Sequence, residues 1–233
     1  ARFGDDRIAA AEFLAKRLAR VAGLEVAHVH LVRSGSRDIL LIERFDRVMD
    51  DGTWRRRAMV SGLTLLGLDE MMARYASYED LAGLVRKGFD DPEGTLRELF
   101  GRIVFSILCG NTDDHARNHS AFWNGRSLQL TPAYDICPQS RHGNEASQAM
   151  LIHGDHRDSR FARCIEAAPV FGLTSEGAIA LIVDQVHAMI ANWEEVCSEA
   201  GISELDKRQF ARRQFLNPYA FEGAPEDILN ALR

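Results

Sequence analysis

Residues 109–120, CGNTDDHARNHS, place two Asn, two Asp, two His and an Arg directly behind a long apolar run. No other stretch constrains the fold so much. Leu96, Leu99, Phe100, Ile103, Ile107 and Leu108 recur at helical spacing and give one apolar face. Asp90-Asp91-Pro92 opens that helix, with Pro in its first turn. After the polar loop, SAFW and SLQL flank an Asn124-Gly125 pair and read as a short hairpin. TPAYDI closes it and delivers Asp135. The expected order is therefore core helix, polar loop, hairpin, then a second carboxylate.

Within the loop Asp113 lies five residues before Asn118. Phosphoryl-transferring enzymes of the protein-kinase kind use such an Asp-x-x-x-x-Asn loop, followed by a hairpin and a second Asp. One carboxylate accepts or orients the proton of the attacking hydroxyl. An amide oxygen and a second carboxylate suit Mg²⁺, which prefers hard oxygen ligands. The spacing alone is also that of a capped surface loop; the hairpin and Asp135 favour the kinase layout. His115 and His119, four apart, match a helical metal pair, but no third ligand is placed beside them. His153 and His156 read as a solvated loop, and His28 and His30 as strand residues on a half-exposed face.

Elsewhere, residues 7–22 read as a helix stopped by Gly23. EVAHVHLV alternates at period two, RSGS marks a turn, and DILLIERFD gives a second strand. This first block is expected to end near Asp51-Gly52, with the remainder mainly helical. Ser77 with Asp80 predicts a capping box and a helix from about residue 78. Further helices are expected over 174 to about 199 and about 203 to 216. The apolar and charged fractions, 46% and 27%, are those of a soluble globular chain. The net charge of −6 gives no general footprint for nucleic acid, although Arg55, Arg56 and Arg57 form a local basic run. No apolar stretch is long enough for a membrane span, and no signal peptide is visible. The four unpaired, widely spaced cysteines read as reduced thiols of a cytoplasmic protein, mostly in the core. The chain starts with Ala, so its natural beginning is expected upstream.

IERFDR (42–47), GNTDDHARNHS (110–120) and LTPAYDI (130–136) together resemble the HipA-type serine/threonine kinases of bacterial toxin–antitoxin systems. The three motifs stand in that family's order, and the resemblance runs from about Ala1 to about Arg213. It implies an α+β, protein-kinase-like fold. Residues 1–47 would be a small partial N-lobe (helix plus β-hairpin) and hinge, and residues 48–233 a larger, mainly helical C-lobe. It implies Asp113 as the catalytic residue, with Asn118 and Asp135 as ligands of Mg²⁺. His115, Ala116 and Arg117 would approach the ATP phosphates. Glu43, Arg44 and Phe45 would form the hinge against adenine, with Tyr134 beside the nucleotide.

Arg2 stands where the family often has Lys and would reach a phosphate; Arg does not replace Lys atom for atom. Glu12 matches the helix glutamate that pairs with such a cation, or is a solvated helix charge. Asp114 replaces a small residue and is expected to add negative charge beside the phosphates. The family's phosphate-covering loop would come from residues outside this sequence or from a separate chain. The implied partners are a protein substrate and a HipB-like antitoxin, with DNA contacted mainly through the antitoxin. Two other readings stand beside this one: a small-molecule kinase of the aminoglycoside or choline type, and a non-catalytic pseudokinase that only binds.

Overall fold

A computed structural model describes residues 8–35, 37–141 and 143–233. Helix α1 (Ile8–Val21) buries Leu14 and Leu18 completely and leaves Arg20 exposed. Gly23, with φ 90°, turns the chain after it. Strands β1 (Val29–Ser34) and β2 (Arg37–Ile42) pair antiparallel, from Val29 opposite Ile42 to Ser34 opposite Arg37. Val29, Leu31 and Leu40 face the core, whereas Val32, Ile39 and Leu41 face out. This is the period-two alternation that the sequence displays. Helix α1 packs against this ribbon on one side and against α6 (Ser175–Glu199) on the other. There Arg17 forks onto Glu199 at 2.7 and 3.0 Å.

The first block does not end at Asp51-Gly52. Those residues, with φ 46° and 76°, turn a hairpin between β3 (Arg47–Asp50) and β4 (Thr53–Arg56). Positive φ at both central positions is the geometry a tight hairpin requires. Nearly every side chain of this ribbon is exposed, so no apolar alternation announces it. Its basic run is partly neutralised, because Arg55 pairs with Asp50 at 3.0 Å. Strand β5 (Ala58–Ser61) pairs with β6 (Ser120–Trp123), which pairs with β7 (Leu128–Leu130). The expected hairpin thus forms two strands of a three-stranded sheet, with β6 in the middle.

The helical part follows the sequence closely. Helix α2 (Gly62–Leu65) is a single turn. Helix α3 (Tyr78–Gly88) is capped by Ser77, whose hydroxyl accepts from the Asp80 amide at 3.0 Å and donates to its carboxylate at 2.7 Å. Helix α4 (Pro92–Cys109) starts on the Asp91 cap and ends at Gly110 with φ 72°. It is buried all round from Leu99 to Cys109, which makes it the central helix of the core. A single apolar core joins α1, α3, α4, α5 (Phe161–Ala167), α6 and α8 (Glu226–Asn230). The helix expected over 203–216 stops early: α7 covers Glu204–Phe210. Arg212 and Leu216 then adopt positive φ, and the Leu216 amide binds the Leu108 carbonyl at 2.8 Å. The turn caps the end of α4 instead of extending α7. Cys109, Cys164 and Cys197 are buried, Cys137 is half-buried, and all four are free thiols.

Candidate active site

The polar loop leaves α4 at Gly110 and is held at several points. The Asn111 amide binds the Ser106 carbonyl at 2.8 Å, and the Gly62 amide binds the His119 carbonyl at 2.5 Å. A Cβ on Gly62 would stand 2.8 Å from the carbonyl oxygens of both Ala116 and His119, so glycine alone permits this approach of α2. Ala116–Asn118 form one 3₁₀ turn. The Asn118 side-chain NH₂ reaches the Asp113 carbonyl at 3.4 Å.

Asp113 and Asp114 face opposite ways. Asp113 is exposed, whereas Asp114 is 4% exposed. The Tyr78 hydroxyl donates to Asp114 Oδ2 at 2.5 Å and the Ser106 hydroxyl at 3.1 Å. His119 Nε2 lies 3.0 Å from Oδ1. Burial pushes this carboxyl group up, but His119, Tyr78 and Ser106 outweigh it and hold Asp114 below the usual carboxylate range. Burial and the Asp114 charge push the Tyr78 phenol well above its usual value, so it remains a donor. The Asp114 carboxylate is therefore a core group, turned away from solvent where Asp113 is exposed. His119 is likewise committed to Asp114 and not to a metal pair with His115.

Beyond β7 the chain returns to the same place. Ala133 bridges to Val26, its amide binding the Glu25 carbonyl at 2.7 Å and its carbonyl accepting from Ala27 at 2.9 Å. The Tyr134 hydroxyl donates to the Arg117 carbonyl and contacts the Ser120 hydroxyl at 2.6 Å. This ties the Asp135 segment to the loop one residue before Asn118. Asp135 is exposed and has φ 58°, a left-handed conformation that costs a non-glycine residue about 1 kcal/mol or more. The two residues before it are held, by the Ala133 bridge and the Tyr134 hydroxyl. The Cys137 thiol is pushed up to about 12 by burial and by the charges of Glu12, Asp135 and Asp113, against Lys16.

At the expected hinge, the Glu43 amide binds the His28 carbonyl at 2.9 Å, continuing the β1–β2 ladder. Arg44 forks onto Asp46 at 2.6 and 2.7 Å, and that bond lowers the Asp46 carboxyl. The Phe45 ring packs 5.6 Å from Tyr134 and 6.0 Å, edge-on, from Phe122. A cleft of about 620 Å³ opens here; Glu12, Glu43, Arg44, Phe45, Tyr134 and Asp135 are among its walls. Five of the residues expected around the nucleotide therefore share one cleft. His115, Ala116, Arg117 and Asn118 sit on the loop behind Tyr134. The Arg117 guanidinium itself turns to Glu70. Arg2 lies outside the described residues.

Three groups escaped the sequence. Lys16 is 1% exposed and lies 2.6 Å from Glu12, so among the described residues a cation of the same helix pairs with Glu12. An i, i+4 Glu–Lys pair gives no sign of burial in sequence. Tyr78 and Ser106, the donors to Asp114, look like ordinary helix residues. Among the described residues no cluster of three or more His, Cys, Asp or Glu gathers that could hold a metal ion. The donor set fits Mg²⁺ held jointly with phosphates: one free carboxylate on Asp135, and an Asn118 amide whose NH₂ is already engaged, leaving its oxygen.

A small strand region joined to a helical body, with a cleft beside a polar loop and a second Asp, defines a kinase-like α+β fold. The chain belongs to the family described as the HipA-like C-terminal domain, whose model matches residues 2–193. It is 27% identical over 164 residues to the serine/threonine-protein kinase toxin HipA of Shewanella oneidensis. That alignment covers 63% of this chain and 38% of the relative. The solved complex of S. oneidensis HipA, HipB and operator DNA superposes with a TM-score of 0.77 at 23% identity, over 98% of this chain and 56% of that chain. The proinflammatory kinase CtkA of Helicobacter pylori has the same fold, with a TM-score of 0.65 at 15% identity, over 99% of this chain and 89% of that one. The chain spans 38% and 56% of the two HipA chains it matches. Among the described residues no helix is long and apolar enough to cross a membrane.

Proposed function

We propose that this chain is the catalytic region of an ATP-dependent serine/threonine protein kinase of the toxin type. The observation that carries the reading is the Tyr134 hydroxyl, which joins the Asp113–Asn118 loop to the Asp135 segment at the wall of the hinge cleft. In this reading residues 1–47 are the remaining part of the first lobe and 48–233 the second. Backbone groups of Glu43–Phe45 and the Tyr134 ring receive adenine. His115, Ala116 and Arg117 line the approach to the phosphates, where Arg2 adds its charge. Asp113 accepts a hydrogen bond from the substrate hydroxyl and takes its proton as the oxygen bonds to the γ-phosphorus and the bond to ADP breaks. Asn118 and Asp135 offer the oxygens for Mg²⁺, which neutralises phosphate charge when bound. A HipB-like antitoxin is the partner, and it carries most of the DNA contact, as the charge of −6 on this chain suits. A phosphate-covering segment from a longer chain or a second polypeptide completes the site, in the cytoplasm.

The test is phosphoryl transfer from labelled ATP to proteins of a cell lysate by the natural full-length protein. Asp113→Asn should leave nucleotide affinity intact and cut transfer about 10²–10⁴-fold, the size of a general-base contribution. Expression without antitoxin should arrest growth, and Asp113→Asn should relieve the arrest. Equal transfer by wild type and variant sinks the assignment.

A further inference from the structure

Asp114 follows Asp113 directly, yet its carboxylate enters the core. Its three partners come from three different places: Tyr78 in the first turn of α3, Ser106 in the last turn of α4, and His119 just before β6. All four side chains are nearly inaccessible, at 0% for Tyr78, 4% for Ser106 and Asp114, and 5% for His119. The Tyr78 ring also packs edge-on against the His119 ring, with centroids 5.5 Å apart. A buried carboxylate is costly unless it is partnered; here two hydroxyls donate to Oδ2 and the His119 ring lies 3.0 Å from Oδ1 as an ion-pair contact. Such an arrangement fixes position closely, since a shift of a few tenths of an ångström strands a buried charge.

We propose that Asp114 is a positioning residue: its buried bonds to Tyr78, Ser106 and His119 set the backbone of the loop so that the neighbouring Asp113 side chain is held outward at the acceptor hydroxyl. This rests on Asp113 as the carboxylate that handles that hydroxyl. Asp114 itself touches no substrate. The bonds, and not the chemical identity of the acid, are what the loop needs. An Asn in the same pose still accepts from Tyr78 and Ser106 through its oxygen.

The test uses the natural full-length protein with Asp114→Asn, Asp114→Ala and Tyr78→Phe. Asp114→Asn should keep kcat within about tenfold of wild type. Asp114→Ala should lower the kcat of the folded protein about 10²-fold, the usual effect of misplacing a reacting group by about 1 Å. KM for ATP should stay within about threefold, because the hinge is untouched. Tyr78→Phe removes one donor, keeps the ring and should lie between them; if Asp114→Ala does not fold, this variant decides. Amide hydrogen exchange over residues 112–119 should rise in Asp114→Ala and Tyr78→Phe, and needs no catalysis to be read. The proposal falls if Asp114→Asn is as damaging as Asp113→Asn, which would put Asp114 in the chemistry. It also falls if the decisive variant keeps wild-type kcat and exchange, or if only KM changes. Absence of transfer in the wild type itself would overturn the kinase reading instead, while the exchange data still judge the anchor.

Discussion

Gly62→Ala should be among the most damaging single-methyl additions in this protein. Gly62 begins α2 and donates its amide to the His119 carbonyl. The added Cβ would meet the Ala116 and His119 carbonyl oxygens at 2.8 Å and the Leu81 side chain at 3.1 Å. Non-bonded heavy atoms settle at about 3.5 Å or more, so both carbonyls must retreat by roughly 0.7 Å. They are backbone atoms on either side of Asn118 and cannot rotate away as a side chain could. Overpacking of this kind costs about 1–3 kcal/mol. For a chain of this length each kcal/mol lowers Tm by about 2–4 °C, so a fall of about 4–8 °C is the central expectation. Gly83→Ala is the matched control. Gly83 lies inside α3 with no atom within 4 Å of a new Cβ, and the same change there should add about 0.5–1 kcal/mol. Thermal unfolding of both variants beside wild type makes the measurement. If Gly62→Ala melts at or above wild type, α2 does not press on the loop as described.

Three other outcomes are expected. Mg-ATP should raise the Tm of the natural full-length protein by mass action, and Asp135→Ala should remove most of that shift; an unchanged shift would mean that Asp135 holds no metal. Phe105→Ala, at a fully buried position of α4, should cost about 3–5 kcal/mol in denaturant titration, and a loss under 1 kcal/mol would contradict its core placement. Asp158 is lowered because Arg160 and Arg163 outweigh the effect of burial, so its contribution is present above the ordinary carboxylate pKa and lost as pH falls through the lower folded value. The Tm gap between wild type and Asp158→Asn should therefore be open at neutral pH and close below about pH 4; a gap independent of pH would refute the pairing.

What the sequence disclosed follows from burial. Elements with one face in the core carry a period, and α1, β1 and β2 fall near where that period predicts. Caps are equally legible, because Ser77 and Asp91 each close a local bond that needs no tertiary context. The β3–β4 ribbon left no trace because both of its faces meet solvent. Strand β5 is short and pairs with β6 across some sixty residues, a contact no local pattern encodes. The candidate site was visible as composition and spacing but not as direction. Asp113 and Asp114 are chemically identical neighbours, and it is Asp114 that meets Tyr78 from α3, Ser106 from the end of α4 and His119 in the core. Lys16 is hidden for a similar reason: its burial depends on what α1 packs against.

The density of polar residues behind α4 now has a physical account. Asn111, Asp114, Asn118, His119 and Ser120 are all buried, an arrangement that would destabilise the chain if left unsatisfied. Asp114 among them is met by the Tyr78 and Ser106 hydroxyls, and the loop backbone is tied to its neighbours at several points. It is pinned by the Gly62 amide from α2, by Tyr78 and Ser106 from α3 and α4, and by the Tyr134 hydroxyl from beyond β7. The same pinning by Tyr134 and by the Ala133 bridge holds Asp135 in its left-handed conformation. Two carboxylates, Asp113 and Asp135, remain exposed on backbone that cannot easily move. Under the proposed function, Asp113 on this loop and Asp135 on the segment tied to it would supply the charge held in place that phosphoryl transfer asks for.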